Sequence, residues 1–73
     1  MNANERQYVI RFDSDPPTWY DGSYGDPGRT TILARAQIYH SVMSARRARK
    51  QLWARYRRIM QIVTLDSQRE AAP

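Results

Sequence analysis

The chain has 73 residues, 26% of them charged, with twelve Lys and Arg against seven Asp and Glu for a net charge of +5. One domain is the ceiling at that length, and a core this small supplies roughly 3–5 kcal/mol of net stability, so a partner or a second copy is a natural source of more. The lack of cysteine excludes disulfides, thiolate metal sites and cysteine nucleophiles.

Apolar runs extend only a few residues, so nothing is expected to cross a membrane. The opening MNANERQ has no apolar stretch of the kind a secretion signal needs. A reducing compartment suits a chain without cysteine. The expectation is a cytoplasmic protein.

The charge is unevenly placed. Residues 1–28 carry two basic and five acidic groups, a net of −3, whereas residues 29–65 carry nine basic groups and no acid. Residues 66–73 return to −1. Such asymmetry points to a dipolar molecule with one face suited to an anionic partner, or to acidic loop and basic helix neutralising each other within the fold.

In chain order, Tyr8-Val9-Ile10-Arg11-Phe12-Asp13 alternates, placing Tyr8, Ile10 and Phe12 on one side and Val9, Arg11 and Asp13 on the other. That period of two reads as a strand half buried against an apolar layer. Asp15-Pro16-Pro17 stops it, since proline donates nothing to a ladder. From Ser14 to Gly28 the chain is rich in turn pairs such as Asp21-Gly22. Trp19 and Tyr20 interrupt these as a short strand or a cover for a sheet edge. With Tyr24 they form a candidate secondary aromatic contact patch, although packing across the sheet is the stronger reading for aromatics in so small a core.

Residues from Arg29 to Tyr39 read as extended, with the opening turns of a longer helix as the alternative. Ser41 is a good N-cap with Ser44 three residues on, so the helix is expected to begin there. From Ser41 to about Arg57, Val42, Ala45, Ala48, Leu52 and Tyr56 share one stripe at 3.6 residues per turn. Arg49 falls inside that stripe, so its head group must reach water or meet a carboxylate such as Asp13. Ile59 to Leu65 is apolar and β-branched on both faces, which suggests a central strand without saying which face points inward.

Together these elements predict a small two-layer α+β domain over residues 1–65, one basic helix on a small sheet in β-β-(β)-α-β order. A β-α-β crossover sets the last strand parallel to the one before the helix if they share a sheet. Residues 66–73 are expected to be a polar, disordered tail.

Three sets of residues also form a recurring spacing: Tyr8-Val9-Ile10-Arg11, then Ala36-Gln37-Ile38-Tyr39-His40-Ser41 with Ala45, and finally Ile62-Val63. This spacing resembles that of small phage-encoded accessory proteins, over about residues 8–65. In size and make-up the chain also resembles the anti-CRISPR class of phage inhibitors. The resemblance implies an α+β fold and a non-enzymatic inhibitor that blocks or traps a host defence complex. It carries no functional residues over, because the matching positions are structural. The long loop from Ser14 to Gly28 and the strongly basic helix depart from the pattern.

Catalytic chemistry is poorly supported. His40 is the lone histidine and its neighbour Ser41 is better used as a cap, with no nucleophile elbow nearby. The aspartates at 13, 15, 21 and 26 lack calcium-loop spacing and suit local turns. No enzyme activity, cofactor or metal is expected.

The basic helix carries the functional signal. Arg46, Lys50, Trp53 and Arg57 follow one another at spacings of 4, 3 and 4, which places them on one edge with the indole between cations. Arg47 and Arg58 widen the patch. Such a group fits the acidic surface of a host protein or ribonucleoprotein, where Trp and Arg are favoured anchors. The first alternative is a small nucleic-acid-binding protein using the same helix, since bases stack on aromatics and phosphates pair with arginine. A structural or dimerising phage protein is a third reading, and a solvated helix face is the plain one.

Overall fold

The computed structural model describes residues 6–23 and 28–71. The alternating segment forms β1, Tyr8–Phe12, with the bounds its pattern gives. A short second strand β2, Thr18–Tyr20, follows the proline stop, and β3, Arg29–Thr30, closes the hairpin. Asp21 N–H donates to the Gly28 carbonyl at 3.2 Å across that hairpin. Gly22 takes φ 87° there, and a Cβ on it would meet the side-chain oxygen of Gln37.

Only two residues of the expected extended stretch join the sheet as a strand. A 3₁₀ turn occupies Leu33–Arg35, after which Tyr39 bridges back to Tyr8. Helix α1, Val42–Tyr56, begins as its cap predicts: Ser44 N–H donates to Ser41 Oγ at 3.1 Å. It is followed by β4, Met60–Thr64, and by a second helix α2, Leu65–Ala71.

Strand order is β3-β2-β1-β4, and every neighbouring pair is antiparallel. Two expectations are corrected here. The last strand is not parallel to the strand before the helix, because it pairs with β1 rather than β3. It is also an edge strand rather than a central one. Its apolar side chains are explained by cover above and below, not by strands on both sides.

Both faces of the sheet are covered. On one, Ile10 and Phe12 of β1 meet Leu52 of α1 and Met60 of β4. On the other, Val9 meets Trp19, Ala36 and Leu65. Val9 and Ile10, adjacent in sequence, are therefore both fully buried. Burial of aliphatic side chains on both sides of one strand is the main stabilising contribution, about 1.5–3 kcal/mol for each large one.

The stripe predicted on α1 faces the sheet, with Ala45 and Leu52 buried and Val42, Ala48 and Tyr56 half-buried. The Tyr56 ring meets Phe12 edge-on, centroids 6.2 Å apart at 87°.

The second helix corrects the expectation of a disordered tail and of a single helix. Thr64 caps it, with Ser67 N–H donating to Thr64 Oγ1 at 3.3 Å and Ser67 Oγ to the Thr64 carbonyl at 2.7 Å. Leu65 and Gln68 are buried. Trp19 Nε1–H donates to Gln68 Oε1 at 3.1 Å, joining residues 49 apart in sequence. This polar anchor holds a helix that has little apolar surface of its own.

Candidate functional site: a cationic groove between α1 and β4

Helix α1 lies across the sheet so that one edge of it stands above β4. The residues at its spacing of 4, 3 and 4 come together there: Arg46, Lys50, Trp53 and Arg57 line one groove of about 540 Å³ with Arg49 and Arg58. Ile59 and Met60 form its apolar floor. Five cations thus surround the groove and no acid lines it.

The end of the helix shapes this site. Arg57 takes the left-handed conformation, φ 55° and ψ 37°, and its N–H donates to the Trp53 carbonyl. This is the position glycine usually fills. The reversal brings the Arg57 guanidinium over the Trp53 ring, 5.2 Å from the centroid. A cation at that distance is attracted by the ring face. Trp53 is 51% exposed and Ile59 69%, so two large apolar side chains stand open to solvent inside a ring of positive charge.

A second groove of about 460 Å³ continues along β4, lined by Val42, Gln61, Ile62 and Thr64. It shares Arg46 and Arg49 with the first. Arg49 is half-buried between the two and forms no ion pair among the described residues. It lines both grooves, and Asp13 is not its ion-pair partner.

Arg47 points away from both grooves and is exposed on the outer side of α1. Arg55 lies toward the opposite edge, where its guanidinium sits 4.8 Å from the Tyr56 ring centroid. Beside it Tyr20, Tyr39, Ala48 and Leu52 line a smaller cavity of about 280 Å³. Burial, reinforced by the nearby Tyr20 hydroxyl, pushes the Tyr39 phenol up to about 12.

The secondary aromatic patch does not assemble. Trp19 is buried on the α2 face, while Tyr20 packs on the α1 face, because neighbours in a strand point to opposite sides. Tyr24 lies outside the described residues. Of the turn aspartates, Asp21 accepts from Ser23 N–H at 2.9 Å, a local turn that lowers its pKa. Ser41 is occupied as a cap, accepting from Ser44 N–H and donating to Ser44 Oγ.

Sequence reasoning missed Ile59, Arg49 and the β4 edge as parts of the site. The first two carry no motif, and their role appears only once α1 is laid against β4. Among the described residues no helix is long and apolar enough to cross a membrane. No protein family, curated protein or solved structure matches the chain.

Proposed function

We propose that the chain is a non-enzymatic binding protein whose α1–β4 groove seats an acidic segment of another protein. The observation that carries this reading is the ring of five cations around an apolar floor, with Trp53 and Ile59 exposed inside it. An exposed Trp flanked by arginine is the composition of a protein hot spot, where an aromatic anchor is desolvated and charges orient the partner. Occupying a host complex in this way would give the anti-CRISPR-like inhibitor that the sequence resemblance implies. The inhibitory role rests on that resemblance alone.

Direct nucleic-acid binding is the second reading, favoured by the same row of cations interleaved with an indole. Two features weigh against it. Arg57 already occupies one face of the Trp53 ring, and Ile59 and Met60 offer an apolar floor to what would be a phosphate track.

Salt separates the two. Phosphate contacts release condensed counterions, so with four or five cations engaged on a single strand log K should fall with log salt at a slope of roughly −3. A desolvated protein contact is screened much less. Titration of labelled single- and double-stranded oligonucleotides at two salt concentrations is expected to give weak binding without sequence preference. Sub-micromolar binding that disappears at high salt would overturn the protein-partner reading in favour of nucleic acid.

A further inference from the structure

The groove is bounded on its lower side by backbone as well as side chains. Antiparallel strands bond at alternate residue pairs, so the bonds recorded at one pair fix which groups face outward at the next. Asp13 N–H donates to the Ile59 carbonyl and Leu65 N–H to the Gln7 carbonyl. With the register Val9↔Val63 and Arg11↔Gln61, the bonded pairs of β1 and β4 are the odd-numbered ones. Tyr8 supports the alternation from the other side, exchanging both bonds with Tyr39 at 2.8 Å.

The N–H and C=O groups of Met60 and Ile62 therefore point out of the sheet edge, as does the N–H of Thr64. The Thr64 carbonyl is taken by Ser67 Oγ. No described strand pairs with that edge. The side chains of the same residues lie on the α1 side: Met60 packs with Leu52, and Ile62 shares the second groove with Val42 and Arg46. A strand laid along β4 would thus have every second side chain under a wall of Arg46, Arg49 and Lys50.

We propose that β4 is a strand-addition site, at which an extended peptide with an acidic residue at every second position joins the sheet as a fifth strand. This rests on the acidic-protein reading of the groove and specifies the form of the partner. Main-chain bonds would supply affinity, and the alternating carboxylates would supply selectivity. Charge is what chooses this occupant over a second copy. Two copies paired through β4 would bring their arginine walls together on one face of the joint sheet, and like charges at a sheet edge deter such pairing. The same wall is complementary to an acidic strand. On the other face α2 carries Asp66 and Glu70 with Arg69, so the intervening residues gain nothing from being acidic.

The test uses the full chain and blocked synthetic hexapeptides. The probe alternates Glu and Val, and two derivatives carry N-methyl groups on either the Glu amides or the Val amides. Methylating the set that faces β4 removes three backbone donors and should weaken binding about tenfold or more. Methylating the other set should leave it within about twofold. Which set is sensitive reports whether the strand adds antiparallel or parallel. Amide exchange at Met60, Ile62 and Thr64 should slow when the unmodified peptide is bound.

Equal binding by both methylated peptides, with no slowing at those amides, would overturn strand addition while leaving the groove as an acidic-segment site. Failure of the unmodified peptide to bind at all, or tighter binding of an oligonucleotide, would overturn both readings. Slowed exchange at the same amides with rising protein concentration and no peptide would show that a second copy takes the edge, which also overturns the proposal.

Discussion

The guanidinium of Arg57 lies 5.2 Å from the centre of the Trp53 ring, and the backbone that brings it there is left-handed. An arginine thus holds a position that glycine would occupy more comfortably. The non-glycine conformation costs about 1–2 kcal/mol, and the greater freedom of glycine in the unfolded chain offsets about 0.5–1 kcal/mol of that. Arg57→Gly is therefore expected to raise the urea midpoint by the equivalent of about 0.5–1 kcal/mol while weakening partner binding. A variant that loses stability as well would show that the stack over Trp53 outweighs the strain.

Gln68 is the only described partner of the buried Trp19 indole N–H. Gln68→Ala leaves that donor unsatisfied inside the protein, at an expected cost of about 1–3 kcal/mol in urea unfolding. Exchange of the α2 amides should quicken in the same variant. Unchanged stability would mean that α2 is held by Leu65 and its Thr64 cap alone.

Leu52 and Trp53 are neighbours in sequence with opposite expected effects. Leu52 is 4% exposed between Phe12 and Met60, so Leu52→Ala should cost about 2–5 kcal/mol and Leu52→Asp should unfold the domain. Trp53→Ala removes a half-exposed ring and should change stability by about 0.5 kcal/mol or less, yet reduce partner affinity more than loss of any single arginine. Thermal melts beside a binding titration give both numbers. An unchanged melting temperature for Leu52→Asp would mean that α1 presents its other face to the sheet.

The raised Tyr39 phenol makes an alkaline prediction. Its pKa is about 12 in the fold against 10.0 for an ordinary tyrosine, so the folded state holds the proton that the unfolded state has released. This contribution to stability is complete below about pH 10 and is lost as pH rises toward 12. Ultraviolet titration should show one late-ionising tyrosine, and Tyr39→Phe should remove it while flattening the decline of stability over that window. Ordinary ionisation of every tyrosine would show that this side chain is open to water.

Much of the fold was legible where local chemistry and packing agree. β1 follows from strict alternation, and α1 follows from Ser41 with one stripe of small and apolar residues. The row Arg46, Lys50, Trp53 and Arg57 was legible as an edge because helical spacing alone sets it. What failed was whatever depends on distant partners. Helix α2 is short and polar, and its decisive contact joins Gln68 to Trp19 across most of the chain. A local signal was nevertheless present, since Thr64 and Ser67 repeat the spacing of Ser41 and Ser44. β4 was read as central because apolar residues on both sides do not reveal whether the cover is strand or helix. Tyr20 and Trp19 could not form one patch once β2 was a strand, because the pleat separates them.

The middle strand of the sheet is made early and completed late. A ribosome delivers β1 first; β2 can pair with it and Trp19 and Ala36 can cover Val9 early, but β4, Leu52 and Leu65 lie in the second half of the chain. Until that half has emerged, Val9, Ile10 and Phe12 have neither a neighbouring strand on the β4 side nor a helix above or below. The β1–β2–β3 meander precedes both α-helices, so it emerges without the α1 cover of Ile10 and Phe12. Until Leu65 has emerged, the newborn β1 segment is accordingly the part most exposed to chaperones and to aggregation.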